Sequence, residues 1–177
     1  MKRILVAVDI QNDFVDGALG SAEATAIVPA AAEKIRGFEG DIFVTLDTHF
    51  DNYLETSEGR YLPVPHCIKG TEGHRLNSEI AAALENKNAV LVEKYTFGST
   101  KLPELIEKTA KGEELMIELI GLCTDICVVS NALILKAAFP EAEISVDPSC
   151  CAGVTPELHE AALKTMASCQ IKTGGKG

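Results

Sequence analysis

Hydrophobic positions along the chain fall into two alternating rhythms. Short, nearly continuous apolar runs occur at RILVAV (3 to 8), DIFVTL (41 to 46), AVLVE (89 to 93), LMIELI (115 to 120) and EISVD (143 to 147), with a short QIK run near the end. Their length and β-branched content predict buried strands. Between them lie alanine-rich segments with apolar residues at helical spacing, at 21 to 37, 76 to 86, 102 to 111, 126 to 138 and 155 to 168. Ser21 and Thr155 suit helix N-caps, and Pro156 suits the first turn of the last helix. Strand and helix thus alternate from end to end, and strands apolar on both sides need a sheet covered on both faces. The predicted fold class is α/β: a doubly wound, mostly parallel sheet in a three-layer α/β/α arrangement, as one domain over residues 1–177. No internal repeat, low-complexity tract or linker interrupts it, and only the tail TGGKG at 173 to 177 reads as frayed.

One connection does not fit the rhythm. From Asp47 to about Arg75 the chain has no clear period, yet it carries THFDN, SEGRY, PVPHC and KGTEGH. A long irregular segment in a compact domain is functional or disordered, and its histidines favour function.

Composition narrows the chemistry. With 177 residues, 46% hydrophobic and 24% charged, the chain can bury one sizeable core. A formal charge of −10, spread rather than gathered in a tail, argues against a nucleic-acid partner and leaves small neutral or cationic substrates open. The run ILVAV at 4 to 8 is too short to span a bilayer and has no cleavage pattern after it, so neither a membrane nor export is expected and the protein reads as cytoplasmic. Its six cysteines, at 67, 123, 127, 150, 151 and 169, have no framework spacing and read as free thiols.

In an open parallel sheet, ligands bind beyond the carboxyl ends of the strands. Asp9 closes the first strand, Asp47 the second and Lys94 the third, and Cys127 follows the fourth through a short turn into a helix. If the first and fourth strands are neighbours at the switch point, Asp9 and Cys127 come within reach of each other, with Lys94 closing the group. A helix N-terminus and an ammonium both favour a thiolate, a nearby carboxylate can accept the thiol proton, and backbone N–H groups of the turn can hold an oxyanion. The implied reaction class is acyl transfer through a thioester. Taken singly, each residue has a plainer role: a turn aspartate, an edge lysine, a small apolar cysteine. C-x3-C at 123 and 127 is not zinc-ribbon spacing and lacks a second pair, and the adjacent Cys150 and Cys151 read as core residues.

The stretches VDIQNDF (8 to 14), LDTH (46 to 49), PHC (65 to 67), EKYTFGS (93 to 99) and GLCTDICV (121 to 128) resemble the isochorismatase-like cysteine hydrolases, in particular the nicotinamidase branch. The likeness runs from about residue 3 to residue 172. It implies the isochorismatase-like hydrolase fold, a catalytic triad of Asp9, Lys94 and Cys127, and Phe14 as a wall of the substrate pocket. It also implies a cis peptide between Leu122 and Cys123, with the N–H groups of Cys123 and Cys127 forming the oxyanion hole. The same resemblance implies one divalent metal on Asp47, His49 and His66, with Glu58 as a fourth ligand and Glu55 as its competitor. Asp-x-His on an extended segment does place both side chains on one side, and mixed carboxylate and imidazole donors suit zinc first, with manganese or iron also possible. His74 and His159 are read as structural or exposed.

The sequence departs from the branch at Pro63, where many nicotinamidases carry the aromatic residue that sandwiches the pyridine ring, and it has no Trp. Tyr61, Leu62 or Tyr95 are the candidates for that wall. The resemblance thus implies a cytoplasmic, homo-oligomeric amidohydrolase acting on a small-molecule amide in NAD salvage, nicotinamide being the first substrate candidate. An N-carbamoyl compound or ureidoacrylate is the alternative, and isochorismatase chemistry, which does not use this metal set, ranks below both.

Overall fold

The computed structural model describes residues 1–174. Five strands, β1 (Lys2–Val8), β2 (Asp41–Asp47), β3 (Ala89–Lys94), β4 (Leu115–Leu122) and β5 (Glu143–Ala152), form one sheet in the order β3-β2-β1-β4-β5, and every pairing is parallel. The chain winds outward from β1 through β2 to β3, then returns to the other side of β1 for β4 and β5. The switch point therefore lies between β1 and β4, as the sequence reading required.

Alternation along β1 divides the core. Leu5 and Ala7 face the layer built by α2 (Ala22–Gly37) and α4 (Ser78–Leu84), where Ile27, Ala31, Ile35 and Ile80 are buried. Ile4, Val6 and Val8 face the opposite layer, built by α5 (Lys101–Ala110), α6 (Val129–Ala138) and α7 (Pro156–Ser168), where Ile106, Leu135 and Met166 are buried. Because both faces are covered, polar–apolar alternation is absent from β1 and the run reads as continuously apolar. Ser21 accepts a hydrogen bond from the Ala24 N–H and Thr155 from the Leu158 N–H, so both expected caps form.

Several elements differ from the sequence reading. The QIK run makes only an isolated parallel bridge, Ser145 with Lys172, and is not a strand. The helix expected over 126 to 138 is preceded by a π-helical turn at Thr124–Val128 and becomes regular only at Val129. The aperiodic connection after Asp47 holds a 3-10 turn, Tyr53–Glu55, and the short helix α3 (Ser57–Tyr61), and a one-turn helix α1 (Asn12–Val15) follows β1. Elements of three to five residues are too short to display a period. The last three residues of the tail read as frayed, 175–177, lie outside the described residues. Among the described residues, no helix is long and apolar enough to cross a membrane.

Candidate active site

The carboxyl ends of four neighbouring strands bring the predicted residues to one place. Asp9 follows β1 with φ 48°, a left-handed conformation that Asp tolerates better than most side chains. That bend turns its carboxylate inward, where Oδ1 accepts a hydrogen bond of 2.7 Å from the Thr45 hydroxyl. Asp47 and Lys94 end β2 and β3 in register with each other. Gly121, with φ 121°, lets β4 pass so close to β1 that a Cβ there would collide with the Val8 carbonyl. This close approach delivers the Leu122–Cys123 peptide, which is cis, and then the π-helical turn that carries Cys127.

Lys94 is the hub. Its Nζ lies 2.7 Å from Asp9 Oδ2, 3.1 Å from Asp47 Oδ1 and 3.4 Å from Cys127 Sγ, and it also donates to the Thr96 carbonyl at 3.1 Å. Lys94, Asp9 and Cys127 are all buried. Burial works against the lysine charge, but Asp9, Cys127 and Asp47 outweigh it and hold its pKa above the usual lysine range. Burial raises the pKa of Asp9 despite Lys94, and burial followed by the charge of Asp9 pushes the Cys127 thiol well above its ordinary value. Asp9 is thus a more basic acceptor than an ordinary carboxylate, and it shares the Lys94 ammonium with the sulfur of Cys127. Cys123, largely out of water, has its thiol pushed up to about 12 by burial and by Asp125 and is a poor nucleophile. All six cysteines are free, as expected.

The other oxygen of Asp47 belongs to a second group. His49 Nε2 lies 3.0 Å and His66 Nε2 3.5 Å from Asp47 Oδ2, and both nitrogens are 3.6 Å from Glu58 Oε1. Asp47, His49, Glu58 and His66 each offer a donor atom within 4.8 Å of the others. Glu58 is inside this cluster, whereas Glu55 is exposed and outside it. The donor set fits a divalent ion. His66 Nδ1 lies 2.8 Å from the Val64 carbonyl and donates to it, which fixes the ring with Nε2 facing the shared centre. Burial raises the Asp47 pKa, but hydrogen bonds from His49 and His66 and the charge of Lys94 more than reverse this and keep it ionised. Two carboxylates face two imidazoles there, the mixed donor set that zinc and similar ions take.

Cys127 and the four residues of the cluster line one cavity of about 1010 Å³, at the upper end of the range for small-molecule sites. Phe14, Leu62 and Tyr95, the expected walls, line it, as does Tyr61. Pro63 does not line it, and Leu19, Phe97, Ile126 and Val154 supply apolar surface that the sequence reading had not assigned to a wall. Sequence reasoning also passed over Thr45, Gln11 and Asp13. Asp13 Oδ2 accepts the Cys67 N–H at 2.7 Å and so fixes the backbone next to His66. Their positions in VDIQNDF and DIFVTLD were the available signal. His74 bonds Thr48, and His159 bonds Thr124, so both are structural as read.

Comparison with known proteins agrees with this geometry. The family model described as Isochorismatase domain matches residues 3–174. The uncharacterized isochorismatase family protein PncA of Bacillus subtilis (strain 168) is 34% identical over 148 residues, 75% of this chain and 78% of that relative. The crystal structure of nicotinamidase/pyrazinamidase PncA from Bacillus subtilis superposes with a TM-score of 0.84 at 29% identity, covering 99% of this chain and 100% of the other. The pyrazinamidase of Pyrococcus horikoshii in complex with zinc superposes with a TM-score of 0.80 at 27% identity, again covering 99% and 100%.

Proposed function

The chain belongs to the isochorismatase family, and from that premise we propose that it is a cysteine amidohydrolase converting nicotinamide to nicotinate and ammonia. One observation carries the chemistry: a single buried ammonium, Lys94, touches Asp9, Asp47 and the sulfur of Cys127, and Asp47 and Cys127 line an apolar cavity.

In this reading Cys127 Sγ attacks the carboxamide carbon while Asp9 takes the thiol proton. Lys94 stabilises both the carboxylate before transfer and the negative sulfur during it. The N–H groups of Cys123 and Cys127 receive the oxyanion. The C–N bond then breaks, Asp9 returns the proton to the leaving nitrogen, and ammonia departs from a thioester on Cys127. Asp9 next deprotonates water, which attacks the thioester and releases nicotinate and the thiolate, and the sulfur recovers its proton from Asp9. Asp47, His49, Glu58 and His66 would hold one divalent ion, zinc before manganese or iron, and when bound it supplies a Lewis-acidic contact for the pyridine nitrogen. Phe14 would bound the ring on one side, with Leu62 and Tyr95 near the mouth.

The test is release of ammonia and nicotinate from nicotinamide by the purified protein, with and without a chelator. Cys127→Ala should lower turnover by on the order of 10⁴-fold or more while leaving metal content unchanged, since it removes the nucleophile and no ligand. Ammonia release at the normal rate by Cys127→Ala would rule the thioester out. A second substrate class, another small amide such as an N-carbamoyl compound or ureidoacrylate, is favoured by one feature: Pro63 is exposed and contributes no wall where a ring-stacking side chain would be expected. Turnover of such an amide with none of nicotinamide would select it.

A further inference from the structure

Gln11 has no place in the triad or in the ligand cluster, yet its side chain is wholly buried, at 0% exposure. It sits in the turn after β1, between Asp9 and Asp13. Ladder pairing between β1 and β2 ends at Val8 with Thr45, so on that side the backbone of Asp47 has lost its neighbouring strand. The Gln11 carboxamide takes the strand's place. Its Oε1 accepts the Asp47 N–H at 2.8 Å, and its Nε2 donates to the Asp47 carbonyl at 2.9 Å. Nε2 also donates to the His74 carbonyl at 2.8 Å, and the His74 ring in turn pairs with the Thr48 hydroxyl at 2.9 Å. Both backbone polar groups of Asp47 are therefore held by one side chain, and the next residue toward His49 is held through His74.

We infer that Gln11 is a positioning residue that sets the affinity of the Asp47, His49, Glu58 and His66 cluster for a divalent cation, by fixing the backbone from which Asp47 and His49 project. The inference rests on the metal reading above. Asp47 must present Oδ2 to the imidazoles and Oδ1 to Lys94 at once, a division that tolerates little rotation of its backbone. An amide is suited to the task because it supplies an acceptor and two donors in one plane, matching one N–H and two carbonyls. A glutamate in its place is nearly the same size but, when ionised, offers no donor to either carbonyl.

The experiment titrates zinc against a chromophoric competitor into metal-free, full-length protein, and records the visible absorption of the cobalt(II) form. Gln11→Glu should bind zinc about 10- to 100-fold more weakly, the usual range for loss of a group that orients a ligand, and should alter the cobalt(II) bands. Melting of the metal-free proteins is measured in parallel, because a purely structural glutamine would lower the melting temperature while the folded fraction kept wild-type affinity and spectrum. That outcome overturns the inference. If Gln11→Glu does not fold, Gln11→Asn, which keeps the amide but shortens its reach, takes its place, and wild-type affinity there overturns the inference equally. Wild-type protein that took up neither ion would remove the metal reading itself and this inference with it, a result distinct from wild-type binding that the substitution leaves unchanged.

Discussion

Asp47 joins the two halves of the site through one carboxylate: Oδ1 faces the ammonium that touches the sulfur, and Oδ2 faces the histidine pair. Asp9 is held differently, with Thr45 on Oδ1 and Lys94 on Oδ2. Among the described residues Asp9 Oδ2 makes no hydrogen bond of good geometry, and its contact with Lys94 is an ion pair, which leaves a lone pair free for the thiol proton. Asp9 serves as a base only when ionised, and burial raises its pKa above the ordinary 3.8, so activity should fall, as pH drops, at a point above that value. The Thr45 hydroxyl favours the ionised form, so Thr45→Val should move this acid limb further up the pH scale. Profiles of kcat/KM against pH for the two proteins check it, and coincident limbs would argue against Asp9 as the base. Residues whose chemistry is distinctive, the acids, the lysine, the cysteine and the histidines, were legible in the sequence. Thr45, Gln11 and Asp13 were not, because a hydroxyl, an amide or a carboxylate that serves one buried hydrogen bond looks like any other.

Between elements, the firmest polar tie away from the site joins α2 to β4 and β5. Lys34 on α2 pairs with Glu118 at 2.7 Å and with Asp147, all three being partly buried. Burial would raise the Asp147 pKa, but hydrogen bonds from Lys34 and Ser149 lower it, so its contribution to stability is present above the unfolded carboxylate value and is lost as pH falls through the folded one. For Lys34 burial lowers the pKa, but Asp147 and Glu118 raise it overall, so its contribution is present below 10.5 and is lost as pH rises through the folded value. Lys34→Met should therefore cost about 1 to 2 kcal/mol at neutral pH, and the cost should shrink toward zero at about pH 2. Urea unfolding at both pH values measures this, and an equal cost at both would mean that lost packing rather than charge explains it. β5 shows why element ends escaped the sequence reading. Leu119 to Gly121 on β4 is matched by Val146 to Cys151 on β5, an irregularity that contains Pro148, and the strand then resumes to Ala152. A proline within an apolar run normally ends a strand, but on an edge strand at a bulge its missing N–H costs nothing.

At the scale of the whole molecule, the segment between β2 and β3 delivers Glu58 and His66 to a centre that Asp47 and His49 reach from the end of β2. A cation bound there ties that segment to the sheet, so metal removal should lower stability as well as activity. Ligand at 100 times its dissociation constant stabilises by about 2.7 kcal/mol, which for a chain of this size is roughly 5 to 10 °C in melting temperature. Calorimetry before and after chelation tests this, and an unchanged melting temperature would mean that no ion bridges the segment to the sheet.

Hydrophobic periodicity by itself determined the α/β class, the five strands and the longer helices, because each is a local pattern that burial on one or two faces imposes on adjacent residues. It also placed Asp9, Asp47 and Lys94 at strand ends and Cys127 in the turn beyond another, which in a parallel sheet is a statement about one edge. Only the tertiary structure decided that these ends meet, since the order β3-β2-β1-β4-β5 is a matter of which strand pairs with which across the chain. It likewise brought Glu58 rather than Glu55 beside the histidines, left Pro63 out of the cavity, and turned Gln11 onto Asp47. Each of these depends on contacts between residues distant in the chain, and no local pattern carries that information.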